Sequence, residues 1–194
     1  MKAIALLIVV AGILPLSAQD TGLDGVGGLA GYNLFSGQSG FGFQAFAVMP
    51  ESDLHSAVGG RTGYEVGIHT TVGIDTASEL RPRFDYTRLD GGSFSFTNAT
   101  STTTINGLSL GVDYLYYFQG TRTGMYGMAG ANIAWWECQN RFVANTRQTS
   151  PTFLIGPGFR FSKGFAAELE FEFGQFRPSE GTDSSIKLGG VVDF

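Results

Sequence analysis

Apolar and polar residues alternate one by one through residues 165–173, with Phe165, Ala167, Leu169, Phe171 and Phe173 on one face and Glu168, Glu170 and Glu172 on the other. Successive side chains of a strand point to opposite sides, so this pattern predicts a β-strand with one apolar and one acidic face. The period recurs along the chain. Tyr64, Val66, Ile68, Thr70, Val72 and Ile74 oppose Glu65, Gly67, His69, Thr71 and Gly73, and Leu108, Leu110, Val112, Tyr114, Tyr116 and Phe118 oppose Ser109, Gly111 and Asp113. Farther on, Phe153, Ile155, Phe159 and Phe161 oppose Gly156, Gly158 and Arg160, while Ile186, Leu188, Val192 and Phe194 oppose Lys187 and Asp193. Weaker strands near 41–49, 81–89 and 125–136 bring the predicted count to eight. In a soluble sandwich the acidic face would meet water; in a membrane barrel the apolar face meets lipid and the acids line the lumen.

The connections alternate too. Segments 75–80, 119–124 and 162–164 read as short turns, and 50–62, 91–104, 139–151 and 177–183 as longer polar loops. A barrel with its rims in two compartments needs that asymmetry, with the short turns periplasmic and the long loops external. With that orientation Trp135, Trp136, Phe173 and Phe176 fall near the outer rim. Tyr114, Tyr116, Tyr117, Phe118, Phe159, Phe161, Phe165 and Phe194 fall near the inner one, which predicts two interfacial aromatic girdles. Pro157 lies inside a strand and lacks a ladder donor, so a bulge or register irregularity is expected there. Between Ser162 and Gly164 a three-residue hairpin would pair Phe161 with Phe165.

Targeting supports a membrane destination. Lys2, the apolar run 3–14 and the small residues ending at Ala18 read as a secretory signal peptide over residues 1–18. The run falls short of the ~20 apolar residues that span a bilayer. Residues 19–39 form a Gly-rich N-terminal arm, and 40–194 the barrel domain. The chain is 43% hydrophobic, yet no later stretch is long enough for a transmembrane helix. Loss of Lys2 with the leader would take the formal net charge from −5 to about −6, which argues against a nucleic-acid partner. A single cysteine, Cys138, rules out an internal disulfide.

The final strand carries Lys187, Gly189, Val192 and Phe194 in a spacing that resembles the assembly signal by which outer-membrane barrels are recognised for insertion. Together with the eight alternating strands, residues 40–194 resemble the small eight-stranded outer-membrane barrels of the OmpA transmembrane-domain and OmpX type. The resemblance implies an all-β, eight-stranded antiparallel transmembrane barrel in the cell outer membrane. It also implies contact with outer-membrane lipid and with the barrel assembly machinery, and a monomeric state.

No catalytic, cofactor or metal motif stands out. Glu65, His69 and Ser109 share lumen faces and would suit a lipid-modifying esterase, but the better expectation is a polar network. His55 with Asp53 supplies too few ligands for a metal. The Ser/Thr run 100–104 with Asn98 could offer a surface for a ligand, although a solvated loop is the simpler reading. The expected lumen ion network is Arg160 and Lys187 compensating Glu168, Glu170 and Glu172, because three adjacent carboxylates in a confined space would otherwise repel or protonate. An eight-strand interior is just wide enough for side chains. The function expected is therefore a structural or surface-interaction role, with a narrow ion or small-solute channel and a lipid-modifying enzyme as alternatives.

Overall fold

The computed structural model describes residues 40–194 apart from 52–53, 56–57, 97–98, 141–142, 163 and 177–181. The proposed leader, the arm 19–39 and Asp53 lie outside the described residues. Eight strands form one closed antiparallel sheet in which each pairs with its neighbours in sequence and β1 closes against β8. They are β1 (Gly40–Glu51), β2 (Gly63–Gly73), β3 (Ser78–Phe96), β4 (Ala99–Tyr117), β5 (Gly124–Asn140), β6 (Val143–Ser162), β7 (Phe165–Gly174) and β8 (Asp183–Asp193). Closure brings residue 194 back to the start of β1, where the Phe194 N–H donates to Phe41 O at 2.8 Å.

Most of the alternating apolar residues face outward, although Val72 of the expected outer face is buried. Phe41, Phe43, Tyr64, Ile68, Phe84, Tyr114, Phe153, Ile155, Phe171 and Leu188 are each exposed on the outer wall, whereas Arg81, Arg83, Glu168, Glu170 and Lys187 are buried within it. This inversion of a soluble protein's polarity is how a barrel satisfies its backbone in lipid while presenting hydrocarbon to it.

β1, β2, β7 and β8 run 10–12 residues, close to the ~9–11 that a tilted strand needs to span a bilayer. β3, β4, β5 and β6 run 17–20. The segments expected to be loops at 91–104 and 139–151 are thus largely strand, and β3 to β6 continue past the barrel rim as a four-stranded sheet. The pairing shows where the barrel ends. β2 reaches β3 only as far as Tyr64 and Arg88, and β7 reaches β6 only as far as Gly174 and Thr152. Beyond those points β3 and β6 are edge strands. In this part of β6, Asn145, Thr146 and Arg147 are exposed in succession, so both faces of β6 meet solvent there.

Pro157 produces no bulge. The register on β7 is the same on both sides of it, with Ile155 opposite Phe171 and Gly158 opposite Glu168, and the pairs between are simply missing. The irregularity falls instead beside the turn, where Ser162 rather than Phe161 pairs with Phe165. The Phe161 and Phe165 rings still stack on the outer wall, 5.5 Å apart.

Candidate functional site

Two apolar clusters and a set of ion pairs share the lumen. Near the short turns, Phe46, Leu115, Tyr117, Tyr126, Met128, Leu154, Ala166 and Val191 pack together. At the loop end Val48, Leu54, Val58, Leu89, Ile105, Ala134, Trp136 and Phe176 form a second cluster, with Cys138 half-buried against it. Leu54 and Val58 come from the connection between β1 and β2, where a hydrogen bond from Val58 N to Leu54 O at 3.1 Å holds them together under the rim. Gly59 and Gly60 at φ 63° and 72° then return the chain to β2 in a conformation that other residues adopt only with strain.

Three aromatic residues expected in the girdles therefore point inward. Tyr117 is wholly buried, and Trp136 stacks edge-on against Phe176 at 4.7 Å. Trp135, one residue away, faces outward as expected. Adjacent positions on a strand cannot both face lipid, so only one of the two tryptophans can belong to a girdle.

Between the clusters lies an ionic belt whose cations come mainly from β3. Arg81 holds Glu168 through two bonds, Nη1 to Oε1 at 2.5 Å and Nη2 to Oε2 at 3.0 Å, and donates to Asp113 Oδ2 from Nε at 3.1 Å and Nη2 at 2.9 Å. Arg83 lies 3.2 Å from Glu170, 3.1 Å from Asp85 and 3.6 Å from Asp113. Lys187 bridges Glu65 at 2.7 Å and Glu172 at 2.9 Å. Neutral groups complete the belt: Thr87 donates to Glu65, Thr152 to Glu172, Tyr126 to Glu168 and Gln44 to Asp85.

The structure thus brings Lys187 to Glu172 but does not bring Arg160 to the glutamates of β7. Arg160 points into the lumen one layer nearer the short turns, where it meets Glu79 at 3.1 Å and Asp193 at 3.2 Å and lies 5.2 Å from the centre of the Tyr117 ring. Arg122 reaches Glu79 from the turn between β4 and β5, at 3.4 Å. Arg81 and Arg83 take the place expected for Arg160. Their sequence signal was an alternation of charge, Glu79, Arg81, Arg83 and Asp85 at every second position, in a segment whose apolar alternation is weak.

The suggested Ser, His and carboxylate arrangement is not assembled. His69 Nε2 contacts Asp193 Oδ1 at 2.8 Å, while Glu65 is engaged by Lys187 and Thr87. The His69 ring reaches β8 by crossing over β1 at Gly42, where any Cβ would lie 2.4 Å from Nε2. Among the described residues no group of three or more His, Cys, Asp or Glu is arranged to hold a metal. Of the proposed assembly residues, Gly189 backs onto the Phe46 ring, Val192 faces outward, and Phe194 lies 5.9 Å from Phe43 in an edge contact. At the short-turn end Asp75 accepts from the Ser78 side chain and from Ala77 N at 2.7 Å, which holds its carboxyl below the usual range.

Solved structures share this architecture. Ail, the attachment invasion locus protein of Yersinia pestis, superposes with a TM-score of 0.51 at 13% identity, covering 80% of this chain and 97% of that one. Neisserial surface protein A superposes with a TM-score of 0.51 at 15% identity over 80% of this chain and 95% of its own. The N-terminal β-barrel domain of Pseudomonas aeruginosa OprF does so with a TM-score of 0.51 at 15% identity, over 81% of this chain and 100% of the domain. The fold is that of the small eight-stranded outer-membrane barrels. No family model matches the sequence, and no curated protein matches it. At these identities the likeness speaks for the barrel and not for the belt.

Proposed function

We propose that this protein is an outer-membrane barrel with a surface-interaction role, whose working surface is the sheet formed by β3 to β6 beyond the rim. The observation that carries this reading is the mismatch in strand length. Two hairpins exceed their neighbours by roughly eight residues, or about 25 Å of strand at ~3.3 Å per residue. That extra sheet adds nothing to spanning the bilayer. It presents unpaired backbone along β6 from residue 143 to 147 and along β3 beyond residue 89, and such edges accept an added strand from another chain. The partner favoured is therefore a protein offering an extended segment.

The lumen supports a scaffold rather than a pore. Buried ion pairs fill its middle, Leu54, Val58, Trp136 and Phe176 close the loop end, and Tyr117 with Arg160 crowds the other. A non-enzymatic role fits the pairing of His69 with Asp193 and of Glu65 with Lys187, which leaves the expected His and Glu unpaired with each other.

The test compares cells displaying the wild-type protein with cells displaying a variant in which residues 92–103 and 139–147 are replaced by tight turns. Folding of each is checked by the mobility shift on boiling. Binding to protein-coated surfaces should fall several-fold while the folded barrel persists, and neither protein should conduct in a planar bilayer. Unchanged binding by the folded, shortened variant would reject the sheet as the working surface, and steady conductance by the wild type would favour the channel.

A further inference from the structure

The belt contains twice as many acids as bases. Glu65, Asp85, Asp113, Glu168, Glu170 and Glu172 face Arg81, Arg83 and Lys187, and all nine are at most 2% exposed. Each strand's contribution can be followed around the barrel. β1 supplies Gln44, β2 Glu65, β3 both arginines with Asp85 and Thr87, and β4 Asp113. β5 supplies Met128 and Asn132, β6 Thr152, β7 the three glutamates and β8 Lys187 with Ser185. The nearest other charges do not correct the imbalance. Glu79, Asp193, Arg160, Arg122 and His69 satisfy one another at the short-turn mouth, and Asp183 at the loop end accepts from Phe176 N at 3.1 Å.

The shortage is concentrated on Arg83. Its guanidinium faces Asp85, Glu170 and Asp113 together, and Asp113 is already shared with Arg81. Glu168, in contrast, has a two-bond contact with Arg81 and a donor in Tyr126. Several oxygens in the crowded half lack a well-aligned hydrogen bond: Asp85 Oδ2, although Arg83 Nε lies 3.1 Å away, Asp113 Oδ1, Glu65 Oε1 and, beside Asp85, Gln44 Oε1. Buried acceptors without a well-aligned donor are costly, and carboxylates that share one counter-charge away from water relieve the repulsion by taking up a proton.

We propose that the belt is a proton-binding site, in which Asp85 and Glu170, crowded onto the single guanidinium of Arg83, share a bound proton while Glu168, held twice by Arg81, remains ionised. The proton comes from water, and the resulting hydroxyl can turn toward an acceptor that the fixed guanidinium of Arg83 does not align with. A proton on Asp85 provides the donor that Gln44 Oε1 lacks once that amide turns over. The acids are interleaved with Arg83, Arg81 and Lys187 instead of converging on a point, and this favours protons over a metal ion as the neutralising species.

The experiment is infrared spectroscopy of the refolded barrel in lipid vesicles at neutral pH. The acid carbonyl stretch of a protonated carboxyl is separate from the bands of carboxylate and amide. Wild type should show an acid band, Asp85→Asn and Glu170→Gln should each weaken it, and the double variant should lose the larger part. Glu168→Gln should leave the acid band unchanged and remove carboxylate intensity. In urea, Glu170→Gln should keep the wild-type midpoint, because it removes the crowding that the shared proton relieves, whereas Glu168→Gln should lower it. If Asp85→Asn does not fold, Glu170→Gln decides alone. Absence of an acid band in the wild type, or a band untouched by both substitutions, overturns the proposal. So does stoichiometric retention of sodium or potassium by desalted protein that lacks the band.

Discussion

Replacing Arg81 by alanine tests whether the belt holds the barrel together. Arg81 is fully buried, bonds Glu168 through both ends of its guanidinium and donates twice to Asp113. Its removal leaves Glu168 with Tyr126 as its donor and Asp113 with Arg83 at 3.6 Å. Breaking a buried pair from one side typically costs about 3–5 kcal/mol, because the remaining charge stays desolvated. At a urea dependence of about 2 kcal/mol per molar, the unfolding midpoint should fall by roughly 2 M. Arg147 is the matched control. It pairs with Glu137 at 3.0 Å but is 82% exposed, and such surface pairs contribute about 0–1 kcal/mol. The assay is urea unfolding in lipid vesicles, followed by tryptophan fluorescence and by the mobility shift on boiling. Two further arms separate charge from packing. Arg81→Met combined with Glu168→Gln should recover part of the loss, since it removes the orphaned charge of Glu168 and keeps an acceptor for Tyr126 while Asp113 stays without its two Arg81 donors. The deficit of Arg81→Ala should also narrow in acid: its orphaned carboxylates bind protons in the folded state that wild type does not, so its relative stability rises as pH falls. Equal midpoints for Arg81→Ala and Arg147→Ala would refute the reasoning.

The remaining predictions concern the wall, the lumen and the turns. Lipids brominated in the acyl chain should quench Trp135 in Trp136→Phe and leave Trp136 bright in Trp135→Phe, because the first side chain faces outward and the second packs on Phe176. Gly156→Ala should destabilise by about 1–3 kcal/mol, since its Cβ would lie 1.9 Å from Leu169 O, a backbone atom that cannot swing aside. Gly127→Ala should be near neutral, its Cβ meeting only the tip of Phe118 at 3.4 Å. Asp75→Asn should cost a small amount of stability near neutral pH. Because the folded carboxyl is held below its usual value, the Asp75 contribution is present above about pH 4 and lost as pH falls through the lowered value, so urea midpoints of the two proteins should converge in acid.

The strands of the barrel were legible because lipid and lumen impose opposite chemistries on alternate residues. Wherever that contrast is sharp, as in Phe165 to Phe173, the sequence predicts both the strand and its inner face. The ion partners were not legible for a physical reason. Glu168 and Glu170 lie on β7 and meet Arg81 and Arg83 of β3 across the lumen, between strands that share no ladder. Neighbouring strands are a natural guess for a partner, and that guess assigned Arg160 and Lys187 to the three glutamates of β7. The projecting hairpins were missed because their polar, Gly-, Ser- and Thr-rich composition was read as loop, although two cues were present: the alternation Ser93, Phe94, Ser95, Phe96 and the β-branched run Thr102, Thr103 and Thr104, a residue type favoured in strands. Tyr117 and Trp136 were misplaced through weighting aromatic character over parity. Tyr116 and Trp135 already occupied the outward positions beside them.

The belt and the projecting sheet are parts of one mechanical arrangement. β3, β4 and β5 leave the barrel at Leu89, Ile105 and Trp136, and those side chains sit in the apolar cluster at the loop end. Leu54, Val58 and Phe176 reach the same cluster from the connections on the opposite side of the rim, so the base of the sheet is packed against the wall that lacks an extension. Directly beneath, Arg81 and Arg83 carry β3 across the lumen to Glu168 and Glu170 of β7, and Asp113 adds β4 to the same group. An edge that must pair with an incoming strand needs a fixed twist and register. Interactions anchoring β3 and β4 both above and below the rim would supply that rigidity without a contact in the exposed sheet itself. If the sheet is the working surface, as proposed, the charged interior would serve it, since an interior just wide enough for side chains would be filled by the same residues that tie β3 and β4 to β7.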